Sequence, residues 1–107
     1  MKYTLLLIGF LSFNVFAEEN KWPVTLAEAV SNILISMNKE SKEKIRATTK
    51  EDLIQYHHGW GTGIRNSFGL WAGNQELILS ACGKPCHPDD ASMKIIEAVW
   101  VKLNENP

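Results

Sequence analysis

The chain of 107 residues has little of several features that would mark a particular class of protein. Its 11 Lys and Arg are balanced by 12 Asp and Glu, so it lacks the clustered basic excess of a nucleic-acid-binding surface. Its glycine-rich run has the wrong spacing for a phosphate-binding loop, and no Lys-Ser or Lys-Thr pair follows it. No stretch alternates polar and apolar residues as a strand does. These absences argue against nucleic-acid binding and favour an all-α fold.

Long apolar runs are also missing except at the N-terminus, where the sequence has the three parts of a secretory signal peptide. Lys2 carries the positive charge, and the mostly apolar segment 3–16 follows it. Val15 and Ala17 are the small residues that a signal peptidase recognises. Because the apolar segment is shorter than the roughly 20 residues that span a bilayer, we predict cleavage after Ala17. The protein is then expected in the periplasm or outside the cell, without a membrane anchor.

Residues 18–107 are expected to form one helical domain of about five helices after this signal peptide (1–17). The predicted helices, taken from the spacing of apolar side chains and from capping residues, are 26–37, 38–48, 52–67, 74–81 and 88–103. The first begins with a capping box, in which the Thr25 hydroxyl and the Glu28 carboxylate accept from the first free N–H groups. The second carries mixed charges and few apolar residues, which is typical of a solvated surface helix.

The central run, residues 56–74, concentrates the residue types that form sites. On a continuous helix over 52–67, His57 is in line with Leu53 and Ile64, so its side chain faces the core. Two interpretations of His57 remain open. It is either a buried neutral imidazole bonded to a carbonyl or carboxylate, or a ligand or proton-transfer group. His58 is expected at the surface.

Three glycines alternate inside this predicted helix, at positions 59, 61 and 63. Each glycine in a helix interior costs about 1 kcal/mol relative to alanine, so their presence implies a compensating gain. Close packing of another helix or of a tryptophan side chain is the favoured interpretation, and close approach of a ligand is the alternative.

Arg65 is expected to be buried beside aromatic side chains and therefore to need a carboxylate partner. The candidate partners are Asp89, Asp90 and Glu97. Such a pair would fix the last helix internally. Alternatively, the guanidinium would contact an anion or an acidic partner, for which its geometry is also suited.

The end of the central run is predicted to close the third helix and to begin the fourth. Asn66 is a plausible last residue, and Gly69 a left-handed cap. Leu70 and Trp71 would then fold back on the core, and Asn74 would cap the next helix through its side chain.

Cys82 and Cys86 are the only cysteines, and four interpretations of them differ in strength. In an exported domain, two neighbouring cysteines form a disulfide in most cases, which we predict here. A c-type haem site needs two residues between the cysteines rather than three. A zinc site that includes His87 lacks the usual paired spacing, and free thiols are the remaining alternative. We expect no cofactor and no metal.

Several motifs resemble a bacterial family of short all-helical domains of unknown function. They are Trp22-Pro23-x-Thr25-Leu26-x-Glu28-Ala29-Val30, Asp52-Leu53-Ile54, His57-x-Gly59-x-Gly61, Ile64-Arg65-Asn66-x-Phe68-Gly69-Leu70-Trp71-x-Gly73-Asn74, Cys82 and His87-Pro88-Asp89-Asp90-Ala91-Ser92. The resemblance implies a helical fold and no established activity. Cys86 departs from the family pattern, so the disulfide is not implied by the resemblance. The residues that it selects as a candidate functional surface are His57, Arg65, Asn66, Trp71, Asn74, His87, Asp89 and Asp90.

Three functional hypotheses follow, and a binding module is favoured. An exported helical protein that presents the central run and the 87–90 segment to a protein partner, as an immunity or inhibitor protein does, fits the size and the export signal. A small periplasmic enzyme would use His57 or His87 as a base and Arg65 to hold an anionic substrate, with Asp89 or Asp90 orienting the base. No nucleophile is placed beside a base by the sequence. In the third hypothesis all these side chains are structural.

Overall fold

A computed structural model of the chain describes residues 22–105, which form five α-helices and one 3₁₀ helix. In chain order they are α1 (Leu26–Ser36), α2 (Lys39–Ala47), the 3₁₀ helix (Glu51–Tyr56), α3 (Trp60–Ser67), α4 (Gln75–Cys82) and α5 (Pro88–Glu105). The absence of strands within 22–105 confirms the predicted all-α class. The predicted signal peptide lies outside the described residues. Within 22–105, no helix is both long and apolar enough to cross a bilayer.

The core is built around α5, which every other helix of the described chain contacts. Its Ile95, Ile96 and Val99 side chains are fully buried. These positions follow one another at steps of one and three residues, so they form a single stripe along the helix. Burial of each such side chain stabilises the fold by about 1.5–3 kcal/mol. The core residues that the other elements contribute include Ala29, Val30, Ile33, Leu53, Ile64, Leu70, Leu77 and Ile78.

Two predicted helix starts, those of α1 and α4, are confirmed by their capping bonds. Thr25 Oγ1 accepts from the Glu28 N–H at 3.1 Å, and Glu28 Oε1 accepts from the Val24 N–H at 3.0 Å. The Asn74 side-chain oxygen accepts from the Leu77 N–H at 3.3 Å. The bonds to the Glu28 and Leu77 N–H groups satisfy donors that the first turns of α1 and α4 leave free. The bond from Val24 fixes the chain just before α1.

The prediction of one continuous helix over 52–67 is wrong. The first part is a 3₁₀ helix that ends at Tyr56, and residues 57–59 form a turn before α3 begins. The turn leaves the His57 carbonyl free to accept a hydrogen bond from Arg65 Nη2 at 3.2 Å. Because the chain bends there, helical spacing does not predict where the His57 side chain points.

Residues 68–74, which we call the anchored loop, are fixed by the segment that precedes α1. Gly69 adopts a φ of +69°, and a side chain there would place its Cβ 1.9 Å from the Trp22 ring. Asn74 Nδ2 donates to the carbonyls of Pro23 and Phe68, at 2.8 Å each. The left-handed cap predicted at Gly69 is confirmed, and contact with Trp22 is a second reason why only glycine fits.

The connection between α4 and α5 is closed by a disulfide. The Sγ atoms of Cys82 and Cys86 are 2.04 Å apart, which confirms the predicted bond. Gly83 ends α4 in the left-handed region, as is usual for a glycine after the last helical residue. His87 follows the second cysteine directly, so the disulfide fixes the chain just before α5 starts.

Candidate functional site

Asp89, in the first turn of α5, is the centre of a side-chain cluster that we call the corner (His57, Arg65, Trp71, His87 and Asp89). Its Oδ1 lies 3.4 Å from Arg65 Nε, and its Oδ2 lies 3.8 Å from both His57 Nε2 and His87 Nδ1. A carboxylate in the first turn also interacts favourably with the positive end of the helix dipole. Of the three acids considered as partners of Arg65, Asp89 therefore takes that position.

Arg65 is the buried support of the corner, since only 6 % of its surface is exposed. Its Nη1 donates to Ser92 Oγ at 2.8 Å, and its Nη2 donates to Thr62 Oγ1 at 2.9 Å and to the His57 carbonyl. Ser92 Oγ in turn donates to the Asp89 carbonyl at 2.9 Å. The guanidinium thus joins the 57–59 turn, α3 and α5. A buried charge needs such partners to offset its lost hydration.

The guanidinium has room because residue 61 is glycine. A Cβ at Gly61 would lie 3.0 Å from Arg65 Nη1 and 3.2 Å from the Tyr56 carbonyl oxygen. The favoured packing interpretation therefore holds at this position, although the neighbour is a guanidinium rather than another helix or a tryptophan. At Gly59 and Gly63 a Cβ would meet no atom within 4 Å. Gly59 is the N-cap of α3, a position where glycine is tolerated, and nothing in the structure explains Gly63.

The two histidines of the corner differ in their surroundings. His57 is partly buried, and its Nδ1 has no hydrogen-bond partner among the described residues although that atom is buried. His87 is largely exposed, and its Nδ1 accepts from the Asp89 N–H at 3.0 Å. A neutral imidazole that accepts at Nδ1 carries its proton on Nε2. His87 therefore presents a hydrogen-bond donor away from Asp89.

Trp71 forms the exposed edge of the corner, with 59 % of its surface accessible. Its ring packs edge-on against His87, with 5.2 Å between the ring centroids. The prediction that Leu70 and Trp71 both fold back on the core is wrong for Trp71. Leu70 is buried there, and the next residue of the turn points the other way. The Trp71 indole therefore lies on the surface beside the imidazole of His87.

The remaining candidate residues lie elsewhere. Asn66 is exposed on α3, and Asn74 is buried in the anchored loop, where its side chain bonds to three backbone groups. Asp90 is exposed and lines a cavity of about 500 Å³ beside the disulfide. Glu97 pairs with Lys50, whose Nζ lies 3.4 Å from the carboxylate.

Two residues that hold the corner together were not singled out from the sequence. Ser92 is fully buried and links Arg65 to Asp89, and the Thr62 hydroxyl accepts the other guanidinium bond. Ser92 does stand in the His-Pro-Asp-Asp-Ala-Ser motif, which was the available signal. Thr62 had none, since a threonine between glycines suggests no such role.

The corner has groups for proton transfer and for recognition. Asp89 stands between two imidazoles, but the nearby Ser92 hydroxyl is fully buried and engaged by Arg65 and a carbonyl. Among residues 22–105, no group of three His, Cys, Asp or Glu side chains is arranged for a metal. The expectations of no metal and no cofactor stay predictions.

Comparison with known proteins gives a family and no activity. Residues 22–103 match the model of a domain of unknown function, DUF6794. No curated protein and no solved structure matches the chain. The matched range contains the anchored loop and the corner, together with all the helices except the last two residues of α5. Since the match covers most of its length, the chain belongs to the DUF6794 family.

Proposed function

We propose that this protein is an exported binding module whose corner contacts a protein partner, in a role of the immunity or inhibitor type. The observation that carries the proposal is the exposed indole of Trp71 beside His87 and Asp89. Tryptophan is enriched among the residues that dominate binding energy at protein interfaces.

The surface around Trp71 is held in place before any partner arrives. The anchored loop is bonded at Asn74 and packed at Gly69, and the other side of the corner rests on buried Arg65. A rigid surface loses less conformational entropy on binding than a mobile one, which raises the affinity. This arrangement favours recognition of a folded partner by the corner.

Export is supported by the disulfide and by the predicted signal peptide. Disulfides persist in the periplasm and outside cells, whereas the cytosol keeps thiols reduced. The Cys82–Cys86 bond would stabilise so small a domain by about 2 kcal/mol on the chain-entropy argument. We therefore place the partner in the same oxidising compartment.

The test is a capture experiment, in which the tagged protein is expressed in the organism that the sequence comes from. The wild type, Trp71→Ala and Ile54→Ala are compared, since Ile54 is an exposed apolar residue outside the corner. A captured protein is then purified, and its affinity for each variant is measured by calorimetry. We expect Trp71→Ala to weaken binding at least about 30-fold, as for an interface residue of more than about 2 kcal/mol. Equal affinity of all three proteins would contradict the proposal.

A small periplasmic enzyme or ligand-binding protein is the second candidate. The unpartnered, buried Nδ1 of His57 and the carboxylate between two imidazoles favour it. An imidazole and a carboxylate in this relation are suited to proton transfer. Loss of a chemical activity in His57→Gln, with partner affinity unchanged, would support this function over the first.

A further inference from the structure

A second surface lies between α1 and the C-terminal part of α5, whereas the corner lies at the first turn of α5. It is a groove of about 880 Å³ whose sides are residues of α1 and α5, and we call it the α1–α5 groove. Its apolar lining includes Leu26, Val30, Leu34, Ile35, Ala98 and Val101. Ile35 is 80 % exposed, the largest value among the exposed large apolar residues of the described chain. Ile35 therefore presents most of its apolar surface to solvent beside the groove.

The spacing of the lining residues shows that each helix contributes one continuous face to the groove. On α5 they are Lys94, Glu97, Ala98, Val101, Lys102 and Glu105, which lie on one face at steps of three, one, three, one and three residues. At 1.5 Å per residue this face is about 17 Å long. The α1 side runs from Leu26 to Ile35 in the same manner. Two helix faces that flank a groove with an apolar floor can accept an amphipathic helix.

The charges of the groove leave two lysines without acidic partners. Glu97 is bonded to Lys50 outside the groove, and Lys102 Nζ lies 3.9 Å from Glu105 Oε1. Within residues 22–105, no carboxylate oxygen lies within 4.0 Å of Lys42 or Lys94, which also line the groove. The uncompensated charge at its edges is therefore positive.

We propose that the α1–α5 groove binds an amphipathic helix of a partner protein, with an apolar stripe toward the groove and acidic residues at its sides. The length of the groove fits about 11 residues of helix, or three turns. The apolar stripe would cover Ile35 and Val101, and the acidic residues would pair with Lys42 and Lys94. The groove shares no residue with the corner, so the proposal does not depend on the corner's function.

The proposal is tested with two synthetic helical peptides of about 12 residues. Both carry leucines at positions i, i+3, i+4 and i+7, and they differ only in having glutamates or lysines at the sides. Affinity for the purified full chain is measured by fluorescence anisotropy of the labelled peptides. We expect the acidic peptide to bind about tenfold more tightly than the basic one, with a difference that shrinks as salt is added.

Variants of the chain locate the binding. Ile35→Ser should weaken the acidic peptide about tenfold or more. Ile54→Ser, at another exposed isoleucine, and Trp71→Ala at the corner should leave its affinity unchanged. Lys94→Glu should remove most of the preference for the acidic peptide.

Three results would overturn the proposal. They are the absence of binding by either peptide, equal affinity of the acidic and basic peptides, and an affinity that Ile35→Ser does not change. Sedimentation of the protein alone is measured alongside. A dimer that Ile35→Ser dissociates would show that a second copy of the chain covers the groove instead.

Discussion

The anchored loop and the corner are neighbours in space, but they are held by different forces. The loop is held by backbone hydrogen bonds to Asn74, which is 3 % exposed, and by close contact of Gly69 with Trp22. The corner is held by the contact of the buried Arg65 guanidinium with Asp89, whose side chain is 42 % exposed. The buried hydrogen bonds of the loop leave no polar atom free to contact a ligand. The half-exposed carboxylate of the corner can make such a contact. Motif residues that lie side by side in the sequence therefore have different roles.

Trp71 links the two regions. It belongs to the anchored loop in sequence and to the corner in space, since its ring packs on His87. Because its neighbours Leu70 and Gly69 are buried, its exposure is imposed by the loop and is not a sign of mobility. We therefore expect substitutions that disrupt the anchored loop to lower the free energy of unfolding strongly. Substitutions at the exposed edge of the corner should leave it nearly unchanged.

The largest effect is expected at Gly69. Gly69→Ala would place a Cβ 1.9 Å from the Trp22 ring and would hold alanine at a φ of +69°. Displacement of the ring and the strained backbone together should lower the free energy of unfolding by about 3–4 kcal/mol. Urea denaturation checks this, with Gly63→Ala as the control. A Cβ there meets no atom within 4 Å, and the helix should gain up to about 1 kcal/mol.

A slightly smaller loss is expected at Asn74. Asn74→Ala removes the cap of α4 and leaves the Pro23 and Phe68 carbonyls without their donor. A lost cap costs about 1 kcal/mol and each unsatisfied buried group 1 kcal/mol or more, so we expect about 3 kcal/mol by denaturation. Asn66→Ala is the matched control, since Asn66 is exposed and should change stability by less than about 0.5 kcal/mol. Similar losses in both variants would refute the distinction.

Arg65→Ala tests how firmly the corner depends on its buried support. The change removes three hydrogen bonds and the partner of Asp89. Breaking a fully buried ion pair costs about 3–5 kcal/mol, but Asp89 is partly hydrated, so we expect about 2 kcal/mol. Arg46→Ala, which breaks only the exposed pair with Glu43, should cost less than about 1 kcal/mol. An unfolding free energy unchanged by Arg65→Ala would show that the guanidinium is not an internal support.

Local signals in the sequence predicted much of the fold correctly. Thr25 and Asn74 cap helices as expected, because a side-chain oxygen at a helix start acts within three residues of itself. The disulfide was equally local, since only three residues stand between its cysteines. The spacing of apolar residues also predicted the last helix, on which Ile95, Ile96 and Val99 form the buried stripe.

The errors came from contacts between distant residues. Nothing near His57 in the sequence shows that its carbonyl accepts a hydrogen bond from Arg65. Whether the Trp71 side chain points into the core or toward solvent likewise depends on which residue of the loop fills the core. The buried residue is Leu70. Of the candidate site, the sequence named Arg65, His57, His87 and Asp89, but it did not separate them from Asn74 and Asp90. That separation requires the three-dimensional arrangement.

The smallest effect on stability is expected at Trp71, and it tests the central claim most directly. Unfolding free energy and partner affinity are measured side by side for the wild type, Trp71→Ala and Ile54→Ala. Because the indole is exposed, Trp71→Ala should change stability by less than about 0.5 kcal/mol while weakening partner binding at least about 30-fold. Unchanged affinity, or a loss of binding explained by a larger unfolded fraction, would contradict the assignment of the corner as a binding surface.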